Sequence, residues 1–312
     1  MNSPFFLQFS LFIDWFNLLG NKLSGKLVSL GILALTCLNL PPFLRHKKEY
    51  IYLAGMIPAP NQPNTTTINN VLQPLVDELL SLYRQINIQT CKFPQGQNIT
   101  VALAALIGDI IATHKTAGFL SHSSNMFCSW CMKTKGNIDK MEMKRRQHKF
   151  DTQAISYLMR ETKAISEHES LAKRVGVRWS ELNRLPYWDP VRGVVLSVLH
   201  NWYKGVLQHH FCFCWGINGL SNCGFKESAV DAILDTSNNS ISENEETPTI
   251  VELFNIKVKK KLISSIIEIV VPSQITHMPK QLGSAQNGKL KASEWHSLFA
   301  IHLPLVFLDI LV

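Results

Sequence analysis

Three apolar runs separated by short polar breaks open the chain. They cover residues 5–16, 27–38 and 50–57, and the breaks between them carry Gly, Asn, Pro and charged residues. Runs of this length, rich in aromatic and branched aliphatic side chains, are typical of buried β-strands. Residues 20–22 have the composition of a turn between the first two runs. The sequence therefore predicts three consecutive strands that pair as a meander.

A helix and a further apolar segment are predicted after the third strand. Residues 68–86 place aliphatic side chains at helical spacing, and Thr67 precedes them as a candidate N-cap. Pro74 predicts that the regular part of this helix begins near that residue, because proline is best tolerated in a first turn. Residues 99–111 are nearly all apolar, which fits a buried strand or a core helix with an acid at its end.

The predicted order of strand, strand, strand, helix and apolar segment is the start of a ribonuclease H-like fold. In that fold a first carboxylate lies on the first strand, and a second follows the fourth strand beside it. Asp14 and Asp109 fall at these two places. We therefore predict an α/β (α+β) fold class with a ribonuclease H-like mixed sheet as its core. The alternative for each aspartate is an acid at a strand end that faces water.

Changes in composition predict four segments. Residues 1–135 form the core that carries both aspartates and a C-x-x-C pair, and residues 136–225 form a mostly helical insertion. Residues 226–250 are polar and acidic, as in a flexible linker. Residues 251–312 are the remainder of the core, and because the chain ends inside an apolar run, we expect this part to be truncated.

The early apolar stretches do not predict a membrane segment. Residues 27–40 are fewer than the roughly 20 that a spanning helix needs, and Pro41 and Pro42 follow them. The opening residues lack the basic leading region and the small-residue cleavage site of a secretory signal. We therefore expect a protein that is neither secreted nor inserted into a membrane.

Basic side chains outnumber acidic ones, which gives the chain a formal net charge of +8. Such a charge favours an anionic partner such as DNA, although many basic proteins bind no nucleic acid. Two basic runs are candidates for phosphate contact, and the alternative for each is a solvated helix face. They are Lys144, Arg145 and Arg146 in the first run, and Lys259, Lys260 and Lys261 in the second.

Asp14 and Asp109 also determine the chemistry that the sequence predicts. An isolated carboxylate in an apolar run is costly to bury unless it is paired or binds a cation. Paired carboxylates can hold two divalent ions that activate a water or a 3′-hydroxyl for in-line attack on a phosphodiester. Hard oxygen ligands favour magnesium or manganese. We therefore predict two such ions and no small-molecule cofactor.

Cys128 and Cys131 have the C-x-x-C spacing of half a zinc site. His122 upstream and His148 downstream are candidate completing ligands, and two half-buried thiols are the alternative. A second polar group, with three histidines and two cysteines, lies in the aromatic stretch at residues 200–214. For that group, buried histidines hydrogen-bonded to the backbone are favoured over a metal site.

Several strings, in one order along the chain, resemble the motifs of a single transposase group. DWFNLLGNK at residues 14–22 is similar to the D-W-F-N-P-L-G-N-K motif of fungal Plavaka-type transposases and to the D-G-F-N-P-F-G motif of CACTA elements. The further similar strings are LTCLNLPPFLR at 35–45, IYLAGMIPAPNQP at 51–63, LQPLVDELL at 72–80, HKTAGFLSHSSNMFCSWC at 114–131, GVRWSELNRLPYWDPVR at 176–192, HNWYKGVLQHH at 200–210 and LGSAQNGKLKASEW at 282–295. The chain thus resembles the CACTA-like, Plavaka-type group, which is related to Kyakuja, Dileera and Zisupton elements.

This resemblance implies a cut-and-paste DNA transposase with a ribonuclease H-like core and a DDE/D carboxylate set. It implies action at transposon ends in the nucleus, and self-association of the protein. Asp14 and Asp109 match the first two acids of the set. Cys128 and Cys131 match the C-x-x-C that follows the second acid, which predicts a zinc-knuckle-like insertion beside the helical one.

The third acid and three departures from the motifs bear on activity. Glu294 is our choice for the third acid, because it opens an apolar, helix-compatible stretch after an insertion, and Asp189 is the alternative. Leu18 stands where the group has proline, and Ser197 and Ser284 stand where acids are expected. We therefore expect an inactive, partial copy of a transposase. The alternative is a non-catalytic relic or domesticated domain that binds DNA or protein.

Overall fold

The computed structural model describes residues 5–17, 29–58, 62–217, 254, 256–280, 282 and 290–311, except for the side chains of residues 309–311. The chain forms two units, which divide between Ser197 and Val198. The predicted linker at residues 226–250 lies outside the described residues, as do the departures at Leu18 and Ser284. The division into four segments stays a prediction.

A mixed sheet of six strands is the centre of the first unit. Its strands are β1 (Phe5–Asn17), β2 (Ser29–Cys37), β3 (Ile51–Ile57), β4 (Ile86–Ile88), β5 (Gln97–Gly108) and β6 (Val194–Leu196). The first three confirm the predicted meander. β5 resolves the ambiguity at residues 99–111 in favour of a strand. The predicted α/β class is confirmed at this level, as a mixed sheet combined with helices.

Strand β1 lies between β2 and β5 in the sheet. It pairs antiparallel with β2, which pairs antiparallel with β3. β1 and β5 are parallel. The other edge of β5 is shared, because β4 pairs antiparallel with its first residues and β6 pairs parallel with its last. The sequence did not predict β4 and β6, since three residues are too few to show a period.

Helices and 3-10 turns connect these strands. The helices of this unit are α1 (Pro42–Arg45), α2 (Ile68–Tyr83), α3 (Ile110–Ala117), α4 (Lys149–Glu161) and α5 (Ile165–Val175), and the 3-10 turns are Lys48–Tyr50, Lys135–Asn137 and Glu181–Arg184. α4 and α5 lie in the segment predicted as mostly helical, but β6 from the same segment joins the sheet. None of the described helices combines the length and apolarity needed to cross a bilayer.

Helix α2 is present as predicted, but it starts differently. Pro74 lies inside the helix rather than near its start. Its missing N–H leaves the Asn70 carbonyl without a helical donor, and both residues are exposed, so water can hydrate that carbonyl. Thr67 makes no side-chain cap; its N–H instead donates to Asn64 Oδ1 at 2.8 Å. The expectation for Pro74 is therefore wrong, whereas Thr67 does occupy the predicted N-cap position without a side-chain capping bond.

The core of the first unit lies on one face of the sheet. Along β1, Leu11 and Ile13 are fully buried, whereas Phe12 on the opposite face is exposed, as the alternation of a strand requires. Helix α2 packs on the buried face with five aliphatic side chains. Each contributes about 1.5–3 kcal/mol relative to an exposed position. Asp14 belongs to the face of Phe12, away from this core.

Gly118 ends α3 with φ of 82°, a conformation that favours glycine. A Cβ there would lie 2.6 Å from the carbonyl oxygen of Arg178. We expect Gly118→Ala to lower the free energy of unfolding by about 2–4 kcal/mol, from backbone strain and the clash together. Gly136→Ala is the control, because a Cβ at Gly136 meets nothing within 4 Å, and it should change stability by less than about 0.5 kcal/mol. Urea denaturation measures both, and equal losses would contradict the conformation of Gly118.

The second unit is helical in its described part. π-Helical segments cover Val198–Leu207, His210–Cys214 and Leu298–His302, and the α-helices are α6 (Ile256–Glu268), α7 (Ala292–Ser297) and α8 (Leu303–Leu311). Its core includes Phe211 and Trp295, whose rings pack edge to face at 5.6 Å. His200, His209 and His210 are exposed. The expectation of buried histidines in this stretch is therefore wrong.

Candidate active site

Of the two aspartates of the predicted pair, Asp14 lies within β1, three residues before its end, and Asp109 directly follows β5, the parallel strand beside it. The last residue pair in the register of β1 and β5 is Phe12 with Ile107. Asp109 directly follows β5 and keeps an extended backbone, with φ −71° and ψ 168°. Extending the register by two residues therefore places Asp14 opposite Asp109. Aligned residues of adjacent strands are about 5 Å apart and point to the same face, so this extended register assigns both side chains to one face of the sheet.

Each of these carboxylates is oriented by one backbone N–H group. Asp14 Oδ1 accepts from the N–H of Trp15 at 2.8 Å. Asp109 Oδ1 accepts from the N–H of Ala112 at 2.6 Å and thereby caps α3. A capping carboxylate is favoured by the partial positive charge of the helix N-terminus. Both side chains are half-buried, so their remaining oxygens are held near the surface in defined orientations.

A lysine that the sequence analysis did not single out lies near Asp109. Lys115 Nζ lies 4.6 Å from the centroid of the Trp15 ring and 3.5 Å from Gln62 Oε1. Burial lowers the pKa of Lys115, and the charge of Asp109 opposes this shift. The ammonium group is therefore close enough to Asp109 to interact with its charge. It adds a cation, suited to contacting a phosphate, beside Asp109.

The two candidates for the third acid both have local backbone partners. Glu294 is the third residue of α7, and its Oε2 accepts from the N–H of Lys291 at 2.6 Å. Asp189 Oδ1 accepts from the N–H groups of Val191 and Arg192 at 3.0 and 3.1 Å. Each carboxylate thus stabilises a helix start or a turn. Glu294 belongs to the second unit and Asp189 to the first; the role of third acid stays a prediction for both.

The two sulfurs of the C-x-x-C pair lie next to each other. Cys131 Sγ lies 3.4 Å from Cys128 Sγ. Burial raises the pKa of Cys128, and the neighbouring Cys131 thiol adds to this effect. His122 and His148 are exposed, and within the described ranges no three His, Cys, Asp or Glu side chains are arranged to hold a metal ion. The fold therefore brings the two thiols together, and the role of His122 or His148 as a completing ligand stays a prediction.

The first basic run is attached to the C-x-x-C loop by backbone pairing. The N–H of Met132 donates to the carbonyl of Arg145, and the N–H of Gln147 donates to the carbonyl of Trp130. Gln147 Nε2 also donates to the carbonyl of Cys128 at 2.7 Å. These contacts fix the loop and the basic run as one short antiparallel arrangement. The backbone that carries the basic side chains is therefore fixed by hydrogen bonds.

The basic side chains differ in their ion pairs. Lys144 pairs with Glu142 at 2.7 Å, and Arg145 pairs with Asp151 at 3.3 Å, both at the surface. Such exposed pairs contribute little and are easily exchanged for a phosphate. The second run, Lys259 to Lys261, lies on α6 of the second unit, where Lys260 and Lys261 are exposed.

A cleft of about 870 Å³ opens beside the first basic run. It is lined by Trp130, by residues 145–150 and by the turn that carries Asp189 and Arg192. We call it the basic cleft, because four of its side chains are cationic and one is a carboxylate. Sequence reasoning found the arginines of the run but missed Trp130 and Arg192, which are distant from it along the chain.

The chain matches the model of a known protein family. The model of a family described as "Transposase family tnp2" matches residues 2–163, which is just over half of the chain. The match includes both aspartates, the C-x-x-C pair and the first basic run. No curated protein matches the chain.

Proposed function

Because the chain belongs to the transposase family tnp2, we propose that it derives from an enzyme that cuts and joins DNA, with Asp14 and Asp109 as its metal-holding carboxylates. The observation that carries this proposal is the parallel register of β1 and β5, which aligns Asp14 with Asp109 when it is extended by two residues. DNA is the partner that the family suggests. The positive net charge of the chain is consistent with it.

The sheet supports a ribonuclease H-like assignment. Three antiparallel strands are followed by α2, by the short strand β4 and then by β5, which lies parallel to β1. β6 extends the sheet parallel to β5 beyond it. The first acid then lies on the first strand and the second acid follows the parallel strand beside it. Within the family, the order of the motifs favours the CACTA-like, Plavaka-type group.

The residues of the pair fit a divalent metal by their chemistry. Both offer hard carboxylate oxygens, which magnesium and manganese prefer. When bound, such ions would polarise the phosphodiester and the attacking hydroxyl or water. The chain's own contribution is to orient Asp14 and Asp109 by the N–H groups of Trp15 and Ala112, each of which donates to one carboxylate oxygen and leaves the other for a metal ion. Lys115, beside Asp109, would contact the phosphate.

Binding of manganese tests the role of the aspartate pair. We expect the full chain to bind Mn²⁺, and Asp14→Asn and Asp109→Asn each to weaken that binding about tenfold or more, because each removes one anionic ligand. Asparagine keeps an oxygen that can accept the N–H of Trp15 or Ala112, so both variants should keep the fold. Isothermal titration calorimetry measures the binding, and thermal denaturation measures the fold.

Asp139→Asn is the matched control for this experiment. Asp139 is an exposed aspartate in a turn, so its replacement should leave Mn²⁺ binding unchanged. The proposal fails if the wild-type chain binds no Mn²⁺. It also fails if the control weakens binding as much as the replacements at Asp14 and Asp109.

A second candidate function is a DNA-binding protein without catalysis. It is favoured by the two carboxylates proposed as third acid, since both Glu294 and Asp189 already accept backbone N–H groups. It is also favoured by Ser197, which stands where the related motif has an acid. In this case the two aspartates and the basic segments remain while strand transfer is lost.

A further inference from the structure

We propose that the basic cleft binds single-stranded DNA, with an unpaired base stacked on Trp130 and adjacent phosphates held by Arg145 and Arg192. This inference rests on the proposed function only in taking DNA as the ligand. It concerns a site separate from the aspartate pair, and it requires no divalent ion.

Trp130 is presented to solvent by a fixed backbone. Its N–H donates to Cys128 Sγ at 3.4 Å, and its carbonyl accepts from Gln147. The residue nevertheless remains 44% exposed on the wall of the cleft. A large aromatic ring held at a concave surface can stack on a base with little loss of conformational entropy.

A second aromatic ring lines the same cleft. Phe150 is 68% exposed, and the His148 ring packs against it with centroids 5.5 Å apart. Lys149 Nζ lies 5.9 Å from the centroid of the Phe150 ring. Proteins that bind single-stranded nucleic acids combine aromatic faces with cations, because the bases stack on the rings while the phosphates pair with the cations.

The charge of the cleft comes from both of its walls. Arg145 and Arg146 lie on the run held to the C-x-x-C loop, and Arg192 lies on the facing turn. The Arg192 side chain is 87% exposed and only 4.0 Å from Asp189 in a weak pair. Asp189 already accepts two backbone N–H groups, so Arg192 can turn to a phosphate without leaving that carboxylate unsatisfied.

Single-stranded DNA fits this cleft better than a duplex. A duplex offers phosphates to the arginines, but its base faces are stacked inside and cannot reach Trp130. A single strand offers both groups at once. The cleft volume of about 870 Å³ is in the range of pockets that enclose small ligands, and therefore accommodates a nucleotide rather than a double helix.

The test is binding of a fluorescein-labelled 12-nucleotide oligothymidine to the full chain in EDTA, followed by fluorescence anisotropy. We expect Trp130→Ala to weaken binding by about 5- to 100-fold, the effect of losing one stacked base. Trp202→Ala is the matched control, since Trp202 is 53% exposed on the second unit, and it should bind as the wild type does. Trp130→Phe should retain most of the affinity, which separates loss of stacking from misfolding.

The arginines are tested by the dependence of affinity on salt. Arg145→Ala and Arg192→Ala should each reduce the slope of log affinity against log salt by about 0.7, the value for one phosphate contact with a single strand. Arg84→Ala is the control, because Arg84 is exposed and does not line the cleft. It should leave the slope unchanged.

Three outcomes would overturn the proposal: equal loss in Trp130→Ala and Trp202→Ala, equal effects of Trp130→Ala on duplex and single-stranded DNA, or tighter binding of the matching RNA. Asp14→Asn should bind the oligonucleotide as the wild type does. Loss of Mn²⁺ binding with retained oligonucleotide binding therefore bears on the aspartate pair alone. Loss of oligonucleotide binding with retained Mn²⁺ binding bears on the cleft alone.

Discussion

Trp188→Ala is expected to lower the free energy of unfolding of the first unit by about 3–5 kcal/mol, as large aromatic truncations in a core do. Trp188 is 1% exposed and belongs to the core cluster beside the sheet. Its ring closely approaches Gly193, where a Cβ would lie 2.6 Å from two ring carbons. Truncation leaves a cavity between the turn and the strand β6 that follows it, and the backbone can fill that cavity only in part.

Two further variants make this prediction specific. Trp188→Phe should cost less, because phenylalanine fills most of the site and removes an indole N–H that has no hydrogen-bond partner among the described residues. Trp130→Ala should change stability by less than about 1 kcal/mol, because its ring is partly exposed. Urea denaturation followed by circular dichroism gives the three values. A loss below about 1 kcal/mol in Trp188→Ala would show that this position is not packed as described.

The strands could be predicted where the signal is local. β1, β2, β3 and β5 are long apolar runs, and a long run bounded by turn residues favours a strand whatever it pairs with. β4 and β6 have three residues each, and their extended state depends on hydrogen bonds to β5. β6 pairs with a strand almost 90 residues earlier in the chain, so no local pattern could indicate it.

The candidate site shows the same contrast between residues that a local pattern indicates and residues that only the tertiary fold brings together. Asp14 and Asp109 stand out because each acid interrupts or ends an apolar run, and the parallel register of β1 with β5, extended by two residues, then aligns them. The sulfurs of Cys128 and Cys131 meet because three residues of spacing are enough. The basic cleft could not be predicted, since Arg192 reaches it from a turn that only the tertiary fold places there.

The surface position of the first basic run could also be predicted, for a physical reason. Exposed basic side chains require no partner in the core, so the run from Lys144 to Arg146 is recognisable as surface in the sequence and is exposed in the structure. What composition does not contain is the identity of neighbouring groups. The ion pairs of this run are local in sequence, since Lys144 pairs with Glu142 and Arg145 with Asp151. The aromatic side chain of Trp130, which lines the cleft beside the run, comes from an earlier loop.

Purified chain incubated with magnesium or manganese and DNA carrying the element's own ends is expected to give no detectable strand-transfer product. Two-metal chemistry requires a complete set of carboxylates, because the two ions together must be held where they stabilise both the attacking and the leaving oxygen. Asp14 and Asp109 supply two members of that set. The candidates for the third, Glu294 and Asp189, accept hydrogen bonds from their own helix start and turn, which favours a structural role for each.

Binding without cleavage is therefore the expected result of the same experiment. Phosphate contacts supply most nonspecific affinity, so binding by the basic runs should weaken roughly tenfold or more between about 50 and 200 mM salt. Asp14→Ala is the decisive control, because it removes a proposed metal ligand and leaves every basic side chain in place. Cleavage or joining that disappears in Asp14→Ala would show that the chain is an active transposase and that Asp14 is catalytic. Binding that is equal in both proteins, with no product from either, is what a relic with an incomplete carboxylate set should give.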